Sequence, residues 1–135
     1  MRRHVLLLVL ALAAPVALAQ SPVCHRDGNQ AQLNQCAFDE LGNADAALNA
    51  AYAKALTSVD GQATAQRRLK AAQRLWIQLR DADLAAQFPL DDGENPQYRY
   101  GSIYPLEYAD AQTELTRQRT AYLRAHFPDR AGDAR

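Results

Sequence analysis

Apolar residues recur at steps of three and four along most of this chain, the spacing of one face of an α-helix. From about Gln30 to Val59 they fall at Leu33, Ala37, Leu41, Ala44, Leu48, Tyr52, Ala55 and Val59. Asn29 stands where an N-cap is needed, and Asp60-Gly61 is a stop. From about Ala63 to Phe88 the pattern predicts an inner face of Leu69, Ala72, Leu75, Trp76, Leu79, Ala82 and Ala86, ended by Pro89. A third segment opens at Ser102 as N-cap and tolerates Pro105, because a first helical turn has no internal N–H bond to lose. It continues through Leu106, Tyr108, Ala111, Leu115, Tyr122 and Leu123 to Phe127-Pro128. The fold class is therefore all-α: an antiparallel bundle of three long helices, each about 25 to 30 residues or roughly 40 Å. The first connection is short, which sets helices 1 and 2 antiparallel. The second, PLDDGENPQYRYG, is long and rich in turn residues. It reads as a functional or mobile segment, with an ordinary exposed insertion as the alternative.

The N-terminus breaks the periodicity. Two arginines precede an apolar run from Val5 to Leu12, and small residues lead to Ala17-Leu18-Ala19. A charged n-region, a short h-region and an A-x-A site predict a signal peptide over 1–19, cut before Gln20. The residues before Cys24 fit a lipobox poorly, so no membrane anchor is expected after cleavage. The mature protein is then periplasmic or secreted, with its helical domain over 20–128 and a frayed tail, DRAGDAR, over 129–135. Removing Arg2 and Arg3 leaves 13 Lys+Arg against 15 Asp+Glu, a net charge near −2. General nucleic-acid binding needs a basic surplus and is not expected.

Cys24 and Cys36 would meet an oxidising compartment and are expected to form one disulfide. It would close a loop of about 13 residues, worth roughly 3 kcal/mol in the chain-entropy model, and pin the N-terminal segment to helix 1. Metal ligation and a reactive thiol are the alternatives, and neither has a companion cysteine or a nearby histidine pair. The mature chain keeps two histidines, His25 and His126, near opposite ends. No H-E-x-x-H, G-x-S-x-G or phosphate-binding glycine loop is present. Asp81 and Asp83 point different ways on a helix, and Asp110 and Glu114 share a face without a metal partner. Asp91, Asp92 and Glu94 do not follow EF-hand spacing. No catalytic residue, metal or cofactor is expected, and the protein is read as a non-enzyme.

Several motifs together resemble a known family. They are Cys24 and Cys36; the D-x-x-L-N-x-x-Y run of Asp45, Leu48, Asn49 and Tyr52; and the W-x-x-x-R-D of Trp76, Arg80 and Asp81. The third helix adds G-S-I-x-P at Gly101, Ser102, Ile103 and Pro105, and L-T-x-x-R at Leu115, Thr116 and Arg119. The chain is similar over nearly its whole mature length to the lysozyme-inhibitor LprI-like N-terminal domain family of secreted bacterial proteins. The resemblance implies an all-α extracytoplasmic domain and a lysozyme inhibitor, and brings no catalytic residues. The family pattern usually has cysteines where Leu84 and Ala111 stand here. Their joint loss fits a second bridge replaced by an apolar contact between helices 2 and 3. Among the motif residues, Asp45, Asn49, Arg80, Asp81, Thr116 and Arg119 sit on or beside inner faces and are expected to form a structural polar network.

Folding the three helices up, down and up would sort the charges. Lys54, Arg67, Arg68, Lys70, Arg74, Arg117, Arg119 and Arg124 gather toward one pole; Asp39, Glu40, Asp81, Asp83, Asp91, Asp92, Glu94, Glu107 and Asp110 gather toward the other. At the acidic pole, Asp91, Asp92 and Glu94 could steer a basic partner while Tyr98, Tyr100 and Tyr104 anchor it. The leading expectation is a binding protein that occludes the cleft of lysozyme or another basic cell-wall hydrolase. The alternative is a non-inhibitory envelope or peptidoglycan-associated domain.

Overall fold

The structure, a computed structural model, describes residues 27–128. They form four helices and no strand: α1 (Gln30–Ser58), α2 (Ala63–Gln87), α3 (Pro96–Tyr100) and α4 (Tyr104–His126). The expected signal peptide, Cys24 and the tail DRAGDAR lie outside the described residues. Cys36, in the second turn of α1, is not a free thiol.

α1 begins as its sequence indicates. The Asn29 side chain accepts from the Gln32 backbone N–H at 3.1 Å, and the Gln32 side chain accepts from the Asn29 N–H at 2.9 Å. This reciprocal pair satisfies two of the donors that every helix start leaves open. α2 has no such device: its N-cap is Gln62, which makes no side-chain cap bond, and its first turn carries no acid. α4 starts two residues later than Ser102. Its N-cap is Ile103, again without a side-chain bond, while Pro105 sits in the first turn as expected. Gly101 explains the shift. At φ 77 it takes a left-handed conformation that suits glycine, ending α3 and leaving Ser102 inside the turn to α4.

α1 and α4 form the closest packing in the molecule. Arg117 pairs with Glu40 at 3.3 Å near the middle of α1, while Leu123 and Phe127 join Ala55 and Val59 at its end. Advance along one helix therefore accompanies advance along the other, so the two run parallel. Their seam is built of small side chains: Ala37, Ala44, Ala51 and Ala55 on α1, and Ala109, Thr113, Thr116 and Thr120 on α4, all buried. Both rows step by three, four or seven residues, the spacing of a coiled-coil seam. Small residues let helix axes approach toward the lower end of the usual 8–10 Å. Thr120 returns its hydroxyl to the Thr116 carbonyl at 2.9 Å. The hydroxyls of Thr113 and Thr116 are buried with no hydrogen-bond partner. They are present as shape, their methyl groups filling the seam.

α2 runs antiparallel to α4. Gln73 meets Arg119 and Phe88 meets Tyr104, so fifteen residues down one helix match fifteen up the other. This register sets Leu84, which is buried, level with Tyr108. Half-buried Ala111 lies about 4.5 Å further along the axis. The face that α2 turns inward differs from the one its apolar pattern predicts. Leu69, Gln73 and Leu84 are buried and Trp76 is half-buried. Ala72, Leu75, Leu79, Ala82 and Ala86 are exposed, with Leu75 and Leu79 showing 64% and 59% of their surface. Trp76, Gln73 and Arg80 take the inner side instead, using long amphipathic stems to cover core while their polar ends find partners.

Candidate functional site

The connection from α2 to α4 is ordered by its own chemistry. Asn95 caps α3, accepting from the Gln97 N–H at 2.8 Å, and Pro96 supplies a φ suited to the first helical position. This five-residue helix was not predicted, being shorter than the apolar period needs to declare itself. Behind it stands an aromatic cluster. Phe88, at the end of α2, lies 5.5–5.9 Å from the rings of Tyr100, Tyr104 and Tyr108. Tyr100 stacks on Tyr104 at 5.5 Å, and the Tyr100 hydroxyl donates to the Pro89 carbonyl at 2.8 Å. These spacings are those at which aromatic pairs attract beyond their buried area. Burial, and then the neighbouring Tyr108 and Tyr100 phenols, push the Tyr104 hydroxyl above its ordinary value.

In front of the cluster lie the acids. Asp91 and Asp92 are exposed. Glu94 folds back: its carboxylate accepts from the Asp91 N–H at 3.0 Å and from the Arg99 guanidinium at 3.3 Å. That backbone donor above all, helped by Arg99, holds the Glu94 carboxyl below its ordinary value against the opposing effect of desolvation. Tyr98 projects from α3 with 91% of its surface exposed. A shallow cleft beside this loop is lined by Asp81, Phe88, Leu90, Tyr104 and Tyr108. It offers a carboxylate over aromatic walls.

The six loop residues singled out from sequence thus divide. Asp91, Asp92 and Tyr98 face solvent, Glu94 and Tyr100 are spent mainly on ordering the loop, and Tyr104 joins the packed cluster. The motif residues of the helices are more dispersed. Arg80, largely covered, reaches sideways to exposed Asp81 at 2.7 Å within α2. Arg119 donates to Gln73 at 3.0 Å, and its guanidinium lies 5.8 Å from the Trp76 ring and 5.2 Å from that of Tyr122. The Arg80 guanidinium also lies 5.4 Å from the Trp76 ring. Burial pulls the Arg119 guanidinium below its ordinary value, while the Tyr122 and then Tyr52 hydroxyls favour its charge. Arg119 therefore ties α4 to α2 through Gln73 and Trp76, while Arg80 meets the same ring from within α2, each cation–π contact worth about 0.5–2 kcal/mol. Thr116 belongs to the seam, Asp45 is half-buried and Asn49 is exposed on α1. Arg117, expected at the basic pole, is drawn to Glu40 instead.

Three contributors were not anticipated: Phe88, Tyr108 and Gln73. By position Phe88 is only the last residue before Pro89, although the aromatics at 88, 100, 104 and 108 are a signal. Gln73 gave none, since a buried glutamine shows itself only through its partner. Among the described residues no group of three His, Cys, Asp or Glu side chains is placed to hold a metal ion. No helix among them is long and apolar enough to cross a membrane.

The geometry defines a small all-helical domain whose distinctive surface is an ordered acidic and aromatic end. The profile of the family described as "Lysozyme inhibitor LprI" matches residues 24–123, and the chain belongs to that family. An uncharacterized protein of Rhizobium meliloti (strain 1021) is 36% identical over 130 residues, covering 87% of this chain and 88% of its own. No solved structure matches the chain.

Proposed function

We propose that this protein is exported, loses residues 1–19, and binds lysozyme or a related basic cell-wall hydrolase, blocking its cleft without performing chemistry. The mature domain is a bundle of three long helices, with Cys24 bridged to Cys36. The binding end is the Asp91–Tyr104 region. The observation that carries this reading is the combination of exposed Asp91, Asp92 and Tyr98 on a loop braced by the Phe88–Tyr100–Tyr104–Tyr108 cluster. A preordered loop loses little conformational freedom on docking. Its carboxylates attract a cationic enzyme, and Tyr98 supplies a large anchor at low entropic cost. The Asp81 cleft, walled by aromatic rings, suits an arginine or lysine side chain of the partner. Membership of the lysozyme-inhibitor family points to the same class of partner.

The test is the clearing of a cell-wall suspension by lysozyme, with and without the mature protein. Inhibition is expected, weakening as salt rises, since exposed charges are screened within about 8 Å at physiological ionic strength. Asp91→Asn with Asp92→Asn slows association. Tyr98→Ala speeds dissociation, with an expected affinity loss of about tenfold or more. No binding to any lysozyme at any salt overturns the proposal. Binding of an acidic envelope component through Arg67, Lys70 and Arg74 would replace it with the envelope-interaction reading.

A further inference from the structure

The apolar stripe that α2 turns outward needs an occupant. Ala72, Leu75, Leu79, Ala82 and Ala86 follow one another at heptad spacing, and all are exposed. Arg68 extends the line at the N-terminal end. The steps from Arg68 to Ala86 are four, three, four, three and four residues, an order that reads the same in both directions. Such a stripe is complementary to itself when reversed. Laid against a second copy running the opposite way, Leu75 meets Leu79, Leu79 meets Leu75, Ala72 meets Ala82, and Arg68 arrives at Ala86. The stripe spans about 27 Å of helix.

Charge selects the same arrangement. Asp83 flanks the stripe at its acidic end, one turn from Ala86 and on the side that a knob at position 68 of an antiparallel partner would touch. Arg68 of each copy is thus brought to Asp83 of the other, twice, by one two-fold axis. A parallel pairing would set Arg68 against Arg68.

We propose that the outer face of α2 is an isologous interface, through which two copies of this chain pair antiparallel about a two-fold axis between Leu75 and Leu79. The two acidic loops then lie at opposite ends of the dimer, so the interface and the proposed hydrolase-binding end do not compete. The inference does not rest on the hydrolase reading.

Sedimentation equilibrium of the mature protein tests it. A concentration-dependent dimer is expected. Leu75→Glu should weaken it at least about tenfold with helix content unchanged by circular dichroism. Arg68→Asp should weaken it too, and adding Asp83→Arg to the same chain should restore it. Orientation is read by oxidative cross-linking. Ala72→Cys chains mixed with Ala82→Cys chains should link to each other faster than either links to itself. A monomer persisting to about 1 mM overturns the proposal, as does an Arg68→Asp, Asp83→Arg chain no better than Arg68→Asp alone. Self-linking of Ala72→Cys in preference to the mixed pair overturns the antiparallel geometry.

Discussion

α1 meets α4 mainly through alanines and threonines, whereas α2 meets α4 through a tryptophan and a glutamine against Arg119, and a phenylalanine against tyrosines. The first contact is close, parallel and almost wholly buried. The second is wider, antiparallel and half wet. Each has its own way of being specific. In the seam, shape decides for the most part, because small buried side chains face one another, with the Arg117–Glu40 pair as a polar contact at its margin. Between α2 and α4, directional pairings decide: one hydrogen bond from Arg119 to Gln73, the Arg119 guanidinium near the Trp76 indole, and an aromatic cluster at the far end. The contrast extends to the helix starts, since α1 carries a reciprocal cap and α2 carries none.

Opposite kinds of substitution should therefore damage the two regions. The largest loss is expected from removing volume beneath α2. Leu84→Ala, at a site with 1% of its surface exposed, should cost about 2–5 kcal/mol, read as a lower urea midpoint. Adding volume should harm the seam. Ala55→Leu, at a fully buried position in the Leu48–Leu123 cluster, should cost about 1–3 kcal/mol in the same measurement. A neutral Ala55→Leu would mean that the seam yields more than its small residues imply.

The smallest effect is local and pH-dependent. The Glu94 carboxyl is lowered from an ordinary 4.5, so what it adds to loop order is present above that value and fades as pH falls through the lowered one. The Tyr104 hydroxyl is raised from an ordinary 10.0, so its contribution is complete below that value and lost as pH rises through the raised one. Near-ultraviolet tyrosine dichroism should thus stay flat between the two and decline on either side. A decline already under way at neutral pH would contradict both assignments.

Where sequence and structure agree, the reason is local. Asn29 and Asp60-Gly61 bracket α1 because capping and stopping are decided within a few residues. The all-helical class follows from a period repeated along most of the mature chain. The inner face of α2 was hidden for a different reason. Periodicity finds the most apolar face of a helix, not the face that a neighbour covers, and in α2 these lie on different sides. The seam on α4 was hidden because threonine counts as polar in any such pattern, although Thr113 and Thr116 pack as though apolar. At the candidate site, the acids and Tyr98 were legible as surface residues. The engagement of Tyr100 and Tyr104 with Phe88 was not, because it joins residues twelve and sixteen positions apart through a loop of unknown path.

The parallel seam has a consequence for how the molecule comes to exist. Its two halves, Ala37–Ala55 and Ala109–Leu123, come from opposite ends of the domain. Everything between them must be made and looped back before they can touch, and long-range closure of this kind is slow. A chain emerging N-terminus first would display α1 with its alanine row uncovered until almost the last helix had appeared. Stopping synthesis within α4 would then yield no smaller version of the fold, only a capped helix waiting for its other half.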